Sequence, residues 1–275
     1  MTTQTRRAAV LGSPISHSLS PVLHRAAYAA LGLDWRYEAI EVDEGQLPGF
    51  LDSCGPEWVG LSLTMPLKAT VLPFLRSTSD TVRLAGAANT VLMTSDGLVG
   101  ENTDVPGMCR ALADAAGETE MRISSATILG GGATARSALV ALASLGARVI
   151  HLGLRSMSRL EEIERVAQQM KVQVHSHAWS EVTRHLDTDV VVSTVPSGAA
   201  DALASAVPPS PGILLDVAYG SDSGLLAAWQ ATGAPAANGL DLLLWQAADQ
   251  VRLMTGRQAP VGDMRAALMS AATAP

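Results

Sequence analysis

Lysine is nearly missing from this 275-residue chain: of its 19 cationic side chains only Lys68 and Lys171 are lysine, and the rest are arginine. A lysine can shift its pKa and exchange a proton near neutrality, which an arginine cannot do, so each survivor asks for a reason. Lys171 falls at the polar end of a helical stretch; Lys68 sits in an otherwise apolar segment. Cysteine is equally sparse. Cys54 and Cys109 stand alone without a C-x-x-C pair, which argues against a disulfide framework and reads as two reduced, buried thiols of a cytoplasmic protein. Charge is also scarce, at 16% against 48% apolar residues, and that excludes a disordered chain.

No apolar run reaches membrane-spanning length. Arg6 and Arg7 precede a short apolar stretch, but Ser13, Pro14 and Ser16 interrupt it too early for a secretory signal. A formal net charge of −7 with dispersed arginines speaks against a nucleic-acid surface. No G-x-S-x-G elbow occurs, which disfavours a serine hydrolase. What remains is a soluble cytoplasmic protein, monomer or homodimer, whose partner is a small molecule and neither nucleic acid nor membrane. Its length allows one large domain or two modest ones.

What is present centres on Ala126 to Arg136 (ATILGGGATAR). The apolar start suits a parallel strand buried on both faces, and Ala133 to Leu145 carries apolar residues at helical spacing. Gly130, Gly132 and Ala135 supply G-x-G-x-x-A: a tight turn, close approach of the backbone to a pyrophosphate, and close packing of helix on strand. A second strand, Arg148 to Leu152, follows. Where an NAD site would place a carboxylate, about 20 residues past the glycines, this chain has Arg155 and Arg159 beside Ser156 and Ser158. Guanidinium groups there suit a 2′-phosphate and hence NADP; Ser158 to Glu161 also reads as a helix capping box with a solvated arginine. Further strands are expected at 172–176, 189–194, 213–217 and 234–237. Six strands alternating with helices predict an α/β fold with a doubly wound parallel sheet. His175 and His177 could share a strand face, but no third ligand at suitable spacing accompanies them, so no metal is expected.

The first hundred residues read as strand, loop and helix in turn. Arg7 to Gly12 is a strand; Ser20 and Pro21 read as the N-cap and first residue of the helix that follows. Further strands are expected at 35–42 and 59–64, then a hairpin from Thr90 to Glu101 turning at Asp96–Gly97. Asp104 reads on spacing alone as either a helix N-cap or a functional carboxylate. The polar residues cluster at element ends, where sites are usually built.

Gly12-x-Pro-x-x-His-Ser-x-Ser-Pro21, Thr64-x-Pro-x-Lys68, Gly86-Ala-x-Asn-Thr90 and Asn102-Thr-Asp104, in this order and followed by the glycine-rich segment, resemble the shikimate dehydrogenases. The resemblance implies NADPH-dependent reversible reduction of 3-dehydroshikimate to shikimate. It implies a substrate-binding and catalytic domain over 1–104 and 240–275, and an NADP-binding Rossmann domain over 105–239. Ser18 and Ser20 would hold the substrate carboxylate, with Thr64, Lys68, Asn89, Asp104, Tyr219 and Gln246 around the ring. Lys68 and Asp104 would be the catalytic pair. Asp80, Gly130, Gly131, Gly132, Ala133, Thr134, Arg155, Ser156, Arg159, Thr194, Val217 and Gly239 would serve the cofactor. The chain departs from the family's usual pattern at Ser62, where asparagine is common, at Asp241, where glycine is common, and at Leu154-Arg-Ser156, where N-R-T is common. A quinate/shikimate dehydrogenase using NAD and a non-catalytic ligand-sensing homologue are the alternatives.

Overall fold

The computed structural model describes residues 5–219 and 223–273. The chain divides into two compact units, Met1–Thr103 with Leu243–Pro275, and Asp104–Leu242. No helix among the described residues is long and apolar enough to cross a membrane.

The first unit contains β1 (Arg6–Gly12), α1 (Ser20–Ala30), β2 (Trp35–Glu41), α2 (Leu47–Asp52), β3 (Trp58–Leu63), α3 (Leu67–Thr70), β4 (Ser77–Thr78), α4 (Asp80–Ala85), β5 (Thr90–Thr94) and β6 (Gly97–Glu101). Its sheet has the order β2-β1-β3-β5-β6-β4. β1 pairs in parallel with β2 and β3, while β5 is antiparallel to both β3 and β6. Ala8 to Leu11 are 0–3% exposed, which explains why β1 reads as a continuous apolar run and not as an alternation. Leu11, Leu61, Leu63 and Val91 join Leu47 and Leu67 in one core. The hairpin turns one residue earlier than expected, at Ser95–Asp96, with Gly97 at φ +120° paired to Thr94. The Thr94 hydroxyl closes this turn by donating to Gly97 O at 2.7 Å and accepting from Asp96 N. Two-residue β4 carries no periodicity to read in advance.

The second unit contains α5 (Asp104–Ala116), β7 (Ser125–Leu129), α6 (Ala133–Ser144), β8 (Val149–Leu154), α7 (Leu160–Met170), β9 (Gln173–Ala178), β10 (Val190–Ser193), β11 (Ile213–Asp216), α8 (Gly224–Ala231) and β12 (Ala236–Ala237). α9 (Gly239–Thr255) carries the boundary at Leu242, and α10 (Val261–Ala272) follows in the first unit. The sheet order is β12-β11-β10-β7-β8-β9, parallel throughout. Counted from β7 this is the doubly wound arrangement, with the order reversing between β7 and β10. α6 is buried from Ala135 to Ala143, mostly apolar residues with Arg136 and Ser137 among them, as befits a central helix buried on nearly every side. α7 buries only Ile163, Val166 and Ala167 and turns Glu161, Glu164 and Arg165 outward. Lys171 ends α7 in the left-handed region at φ 55°, a capping position that glycine usually takes. Between β9 and β10 the connection is a 3-10 turn, Val182–His185.

Candidate active site

In the first unit the ends of β1 and β3 lie side by side. Thr64 N donates to Leu11 O at 2.9 Å and Ser13 N to Met65 O at 3.0 Å, and each strand leads into a cis X-Pro bond, Ser13–Pro14 and Met65–Pro66. α3 starts immediately after. The backbone carbonyl of Lys68 accepts from Ala88 N at 2.8 Å, and Leu63 N donates to Asn89 O at 2.7 Å. Thr64, Lys68 and Asn89 thus share one edge of this unit, where backbone hydrogen bonds bring their segments together.

Asn89 is 1% exposed. Its Oδ1 accepts from Thr103 N at 2.8 Å and from the Thr90 hydroxyl, while Nδ2 donates to Thr103 Oγ1 and to Gln246 Oε1 at 3.3 Å. Gln246 Nε2 in turn donates to Leu243 O. The amide therefore fixes the segment that ends at Thr103. Asp104 is the next residue, buried and first in α5, where a carboxylate is favoured by the free N–H groups of a helix start.

α1 begins at Ser20 itself, with Leu19 as its N-cap, so Ser20 does not take the capping role expected of it. The reason is local: Ser18 N donates to Ile15 O, and Leu19, already near helical dihedrals, accepts from Val22 N. Ser20 and Pro21 become the first two helical residues, and Ser20 N points at Ser18 Oγ, 3.3 Å away.

Behind Asn89 lies a buried network that sequence reading missed. Gln250 Nε2 donates to Thr90 Oγ1 at 3.0 Å and Asn89 O at 3.3 Å. Its Oε1 accepts from Ser62 Oγ at 2.8 Å and from His24 Nε2 at 3.1 Å. Tyr37 donates to Ser62 at 2.6 Å and its ring stacks on His24 at 3.9 Å. Ser62, a departure from the family pattern, is thus fully engaged. The available signal was spacing, since Gln250 follows Gln246 by one helical turn.

Burial pushes His24 down to about 3. A histidine held neutral in the fold contributes stability that is present above its unfolded pKa of about 6.5 and lost as pH falls toward its folded value. For this group the loss is roughly 1.4 kcal/mol per pH unit below 6.5. His24→Gln should show a shallower loss of stability between pH 6.5 and 4.5 in urea titrations, by about one proton. Parallel pH profiles for the two proteins would assign acid sensitivity elsewhere, with His151 the next group to test.

In the second unit Gly130 has φ +118°, and a Cβ there would run into the Thr194 hydroxyl. That hydroxyl donates to Leu129 O at 2.9 Å. The stems of Leu154 and Arg159 pack where a side chain on Gly131 would go. Gly132 is the N-cap of α6, and a Cβ on it would meet no protein atom within 4 Å. Open space in front of the free N–H groups opened by Ala133 and Thr134 is what a pyrophosphate needs. Ala135, fully buried, supplies the small third position.

Arg155, Ser156 and Arg159 are exposed just past the end of β8. The expected Ser158–Glu161 capping box does not form. Ser156 instead caps a 3-10 turn at Met157–Arg159, which delays α7 to Leu160. Glu162 pairs with buried Arg136 and lies 3.8 Å from Arg159. Ser193 Oγ, buried at the end of β10 beside Leu129, makes no hydrogen bond among the described residues. These features fit a dinucleotide bearing an adenosine phosphate.

Val217 follows β11, with its N–H donating to Ser193 O, and Tyr219 is half-buried nearby in sequence. The backbone carbonyls of Val217 and Ala218 lie where a side chain on Gly239 would go, so only glycine fits. Asp241 has a local role: Asn238 Oδ1 accepts from Leu240 N, and Asp241 Oδ2 accepts from Asn238 N, a reciprocal cap on α9. Burial pushes the free thiols of Cys54 and Cys109 up to about 11, which marks them as inert. Trp58 and Trp229 are core residues; Trp179 and Trp245 are half-buried.

The family model of the shikimate dehydrogenase substrate binding domain matches residues 10–91, and that of the shikimate 5'-dehydrogenase C-terminal domain matches residues 239–269. A Streptococcus pneumoniae protein named shikimate dehydrogenase (NADP(+)) is 32% identical, over 94% of this chain and 95% of its own length. The crystal structure of a shikimate 5-dehydrogenase from Mycobacterium fortuitum shares 41% identity and a TM-score of 0.86, covering 97% of this chain and 99% of that one. That of the Thermus thermophilus enzyme in complex with NADP(H) and shikimate shares 30% identity and a TM-score of 0.84, covering 97% and 100%. Agreement in sequence and in fold over nearly the whole length leaves one assignment, and the chain belongs to the shikimate dehydrogenase family.

Proposed function

We propose that this chain catalyses the reversible, NADPH-dependent reduction of 3-dehydroshikimate to shikimate in aromatic amino acid biosynthesis, acting in the cytoplasm as a monomer or homodimer. The observation that carries the reading is the placement of Lys68, one of two lysines in the chain, on the edge shared with Thr64 and Asn89.

Bound NADPH supplies the hydride. The protein's part begins with the carboxylate, held by the hydroxyls of Ser18 and Ser20 at the start of α1. Thr64, Asn89, Tyr219 and Gln246 orient the ring. Lys68 donates to the oxygen that gains charge as the carbonyl is reduced, stabilising the transition state and supplying the proton. Asp104 holds the lysine charged and oriented. Gly130, Gly131, Gly132, Ala133 and Thr134 receive the pyrophosphate; Arg155, Ser156 and Arg159 take the adenosine end; Thr194, Val217 and Gly239 line the remainder. Asp80, exposed and ion-paired with Arg83 in the first unit, is assigned to the cofactor on the family resemblance alone. Residues 1–104 with 240–275 form the catalytic domain, and residues 105–239 the NADP domain.

The test is initial rates of cofactor reduction with shikimate, NADP against NAD. A strong preference for NADP is the expected result. Faster turnover of quinate with NAD would transfer the chain to the quinate/shikimate dehydrogenases. Shikimate binding without turnover would make it a ligand-sensing homologue.

A further inference from the structure

The chain has six histidines, and four of them, His151, His175, His177 and His185, gather at one place in the second unit. His151 stands on β8, His175 and His177 on the outermost strand β9, and His185 at the end of the 3-10 turn Val182–His185. In the parallel register His151 faces His175, and Gly153 faces His177. Sequence spacing could pair only the two histidines of β9. The others arrive through the sheet and through the turn laid across it. Val182 fills the space that a side chain on Gly153 would take, and the Thr127 hydroxyl of β7 donates to the His185 carbonyl.

The result is a set of converging nitrogens. The His185 ring lies 4.2 Å from that of His151 and 3.9 Å from that of His177. One nitrogen from each of these three rings lies within 4.8 Å of the other two, and His151 Nδ1 is 2.9 Å from His177 Nε2. All three side chains are half-buried, so each ring is positioned by the fold while solvent still reaches the cluster. His175 is exposed and stacks on His151 at 5.6 Å without joining the convergent set.

We propose that His151, His177 and His185 bind one borderline divalent transition-metal ion, zinc(II) first among them, at a site separate from the substrate and nucleotide residues. Three imidazoles with no carboxylate form the donor set of zinc, nickel or copper and not of calcium or magnesium. A tetrahedral ion with bonds of 2.0–2.1 Å would hold its ligand nitrogens about 3.3 Å apart. The His151–His177 pair must therefore open by a few tenths of an ångström, and the His185 ring, stacked on its two neighbours at 4.2 and 3.9 Å, must swing out by about 1 Å, because rings on a tetrahedral ion have centroids about 5 Å apart; half-exposed side chains allow both movements. Water takes the fourth position. The ion would tie β9 and the Val182–His185 turn to β8, clamping the edge of the sheet whose next residues lead into Arg155.

The experiment uses the full chain without an affinity tag, stripped with a chelator and titrated with zinc(II) against a chromophoric competitor, then with cobalt(II) followed by absorption. One equivalent of zinc per chain, a cobalt spectrum of low coordination number and a raised thermal midpoint are the expected results. His177→Gln and His185→Gln should each weaken zinc by on the order of 100-fold or more, since loss of a mere supporting partner already costs about 10–100-fold. His175→Gln should bind as wild type does. Circular dichroism checks each variant, and if one fails to fold the cobalt spectrum and thermal shift of the wild type still decide. Equal zinc affinity in the wild type and in folded His177→Gln and His185→Gln, or no stoichiometric binding by the wild type, would overturn the site.

Discussion

With Lys68 as the proposed general acid, Lys68→Ala should lower kcat by about 10²–10⁴-fold, the range that one positioned general acid supplies, while the protein unfolds near its normal temperature. The separation follows from how Lys68 is held. Its carbonyl accepts from Ala88 N, and its neighbour Leu67 is fully buried in the core, and both contacts, which hold α3 in place, survive the substitution. Alanine is also the best helix former. What the substitution removes, on the proposed mechanism, is the donor at the carbonyl oxygen. Lys68→Arg restores the charge but has no proton to give near neutrality, and it should recover part of the rate through charge alone. Steady-state kcat and KM for shikimate, read together with the thermal midpoint, separate these contributions. An unchanged kcat in folded Lys68→Ala would move proton donation to another group.

Much of this was legible in the sequence because the signals are local. β7, β8, β10 and β11 are short apolar runs between polar or glycine-rich turns, and they became neighbouring parallel strands. The glycine loop is a contiguous stretch whose turn, open space and helix start need nothing from afar. The substrate-side motifs sit at element ends for the same reason. What escaped depends on contacts distant in the chain. Ser62 departs from the family pattern, and the partner that accepts its hydrogen bond, Gln250, is 188 residues away. The histidine cluster joins three elements, and no spacing rule links His151 to His185. Asp241 and Ser158 are a different case: each has several local uses open to it, and small backbone choices decided them. Asp241 caps α9, whereas Ser158 yields its capping role to Ser156 because a 3-10 turn precedes α7.

The second large effect concerns the adenosine end. Arg155→Gln with Arg159→Gln should raise the KM for NADP by on the order of 10–100-fold while leaving the KM for NAD nearly unchanged. A hydrogen bond to a charged group contributes about 1.5–3 kcal/mol, and both arginines are exposed, where screening by salt keeps the gain toward the lower end. Glutamine is the right replacement because the Cβ and Cγ of Arg159 pack over Gly131; a shorter side chain would loosen the glycine loop and injure both cofactors alike. Glu162 leaves Arg159 able to serve, since it pairs with buried Arg136 and lies 3.8 Å from Arg159. If the pair acts by charge on the 2′-phosphate, raising ionic strength must weaken NADP in the wild type and barely affect the double variant. Equal losses for NADP and NAD would instead make these arginines supports of the loop, and the cofactor preference would have to come from elsewhere in the second unit.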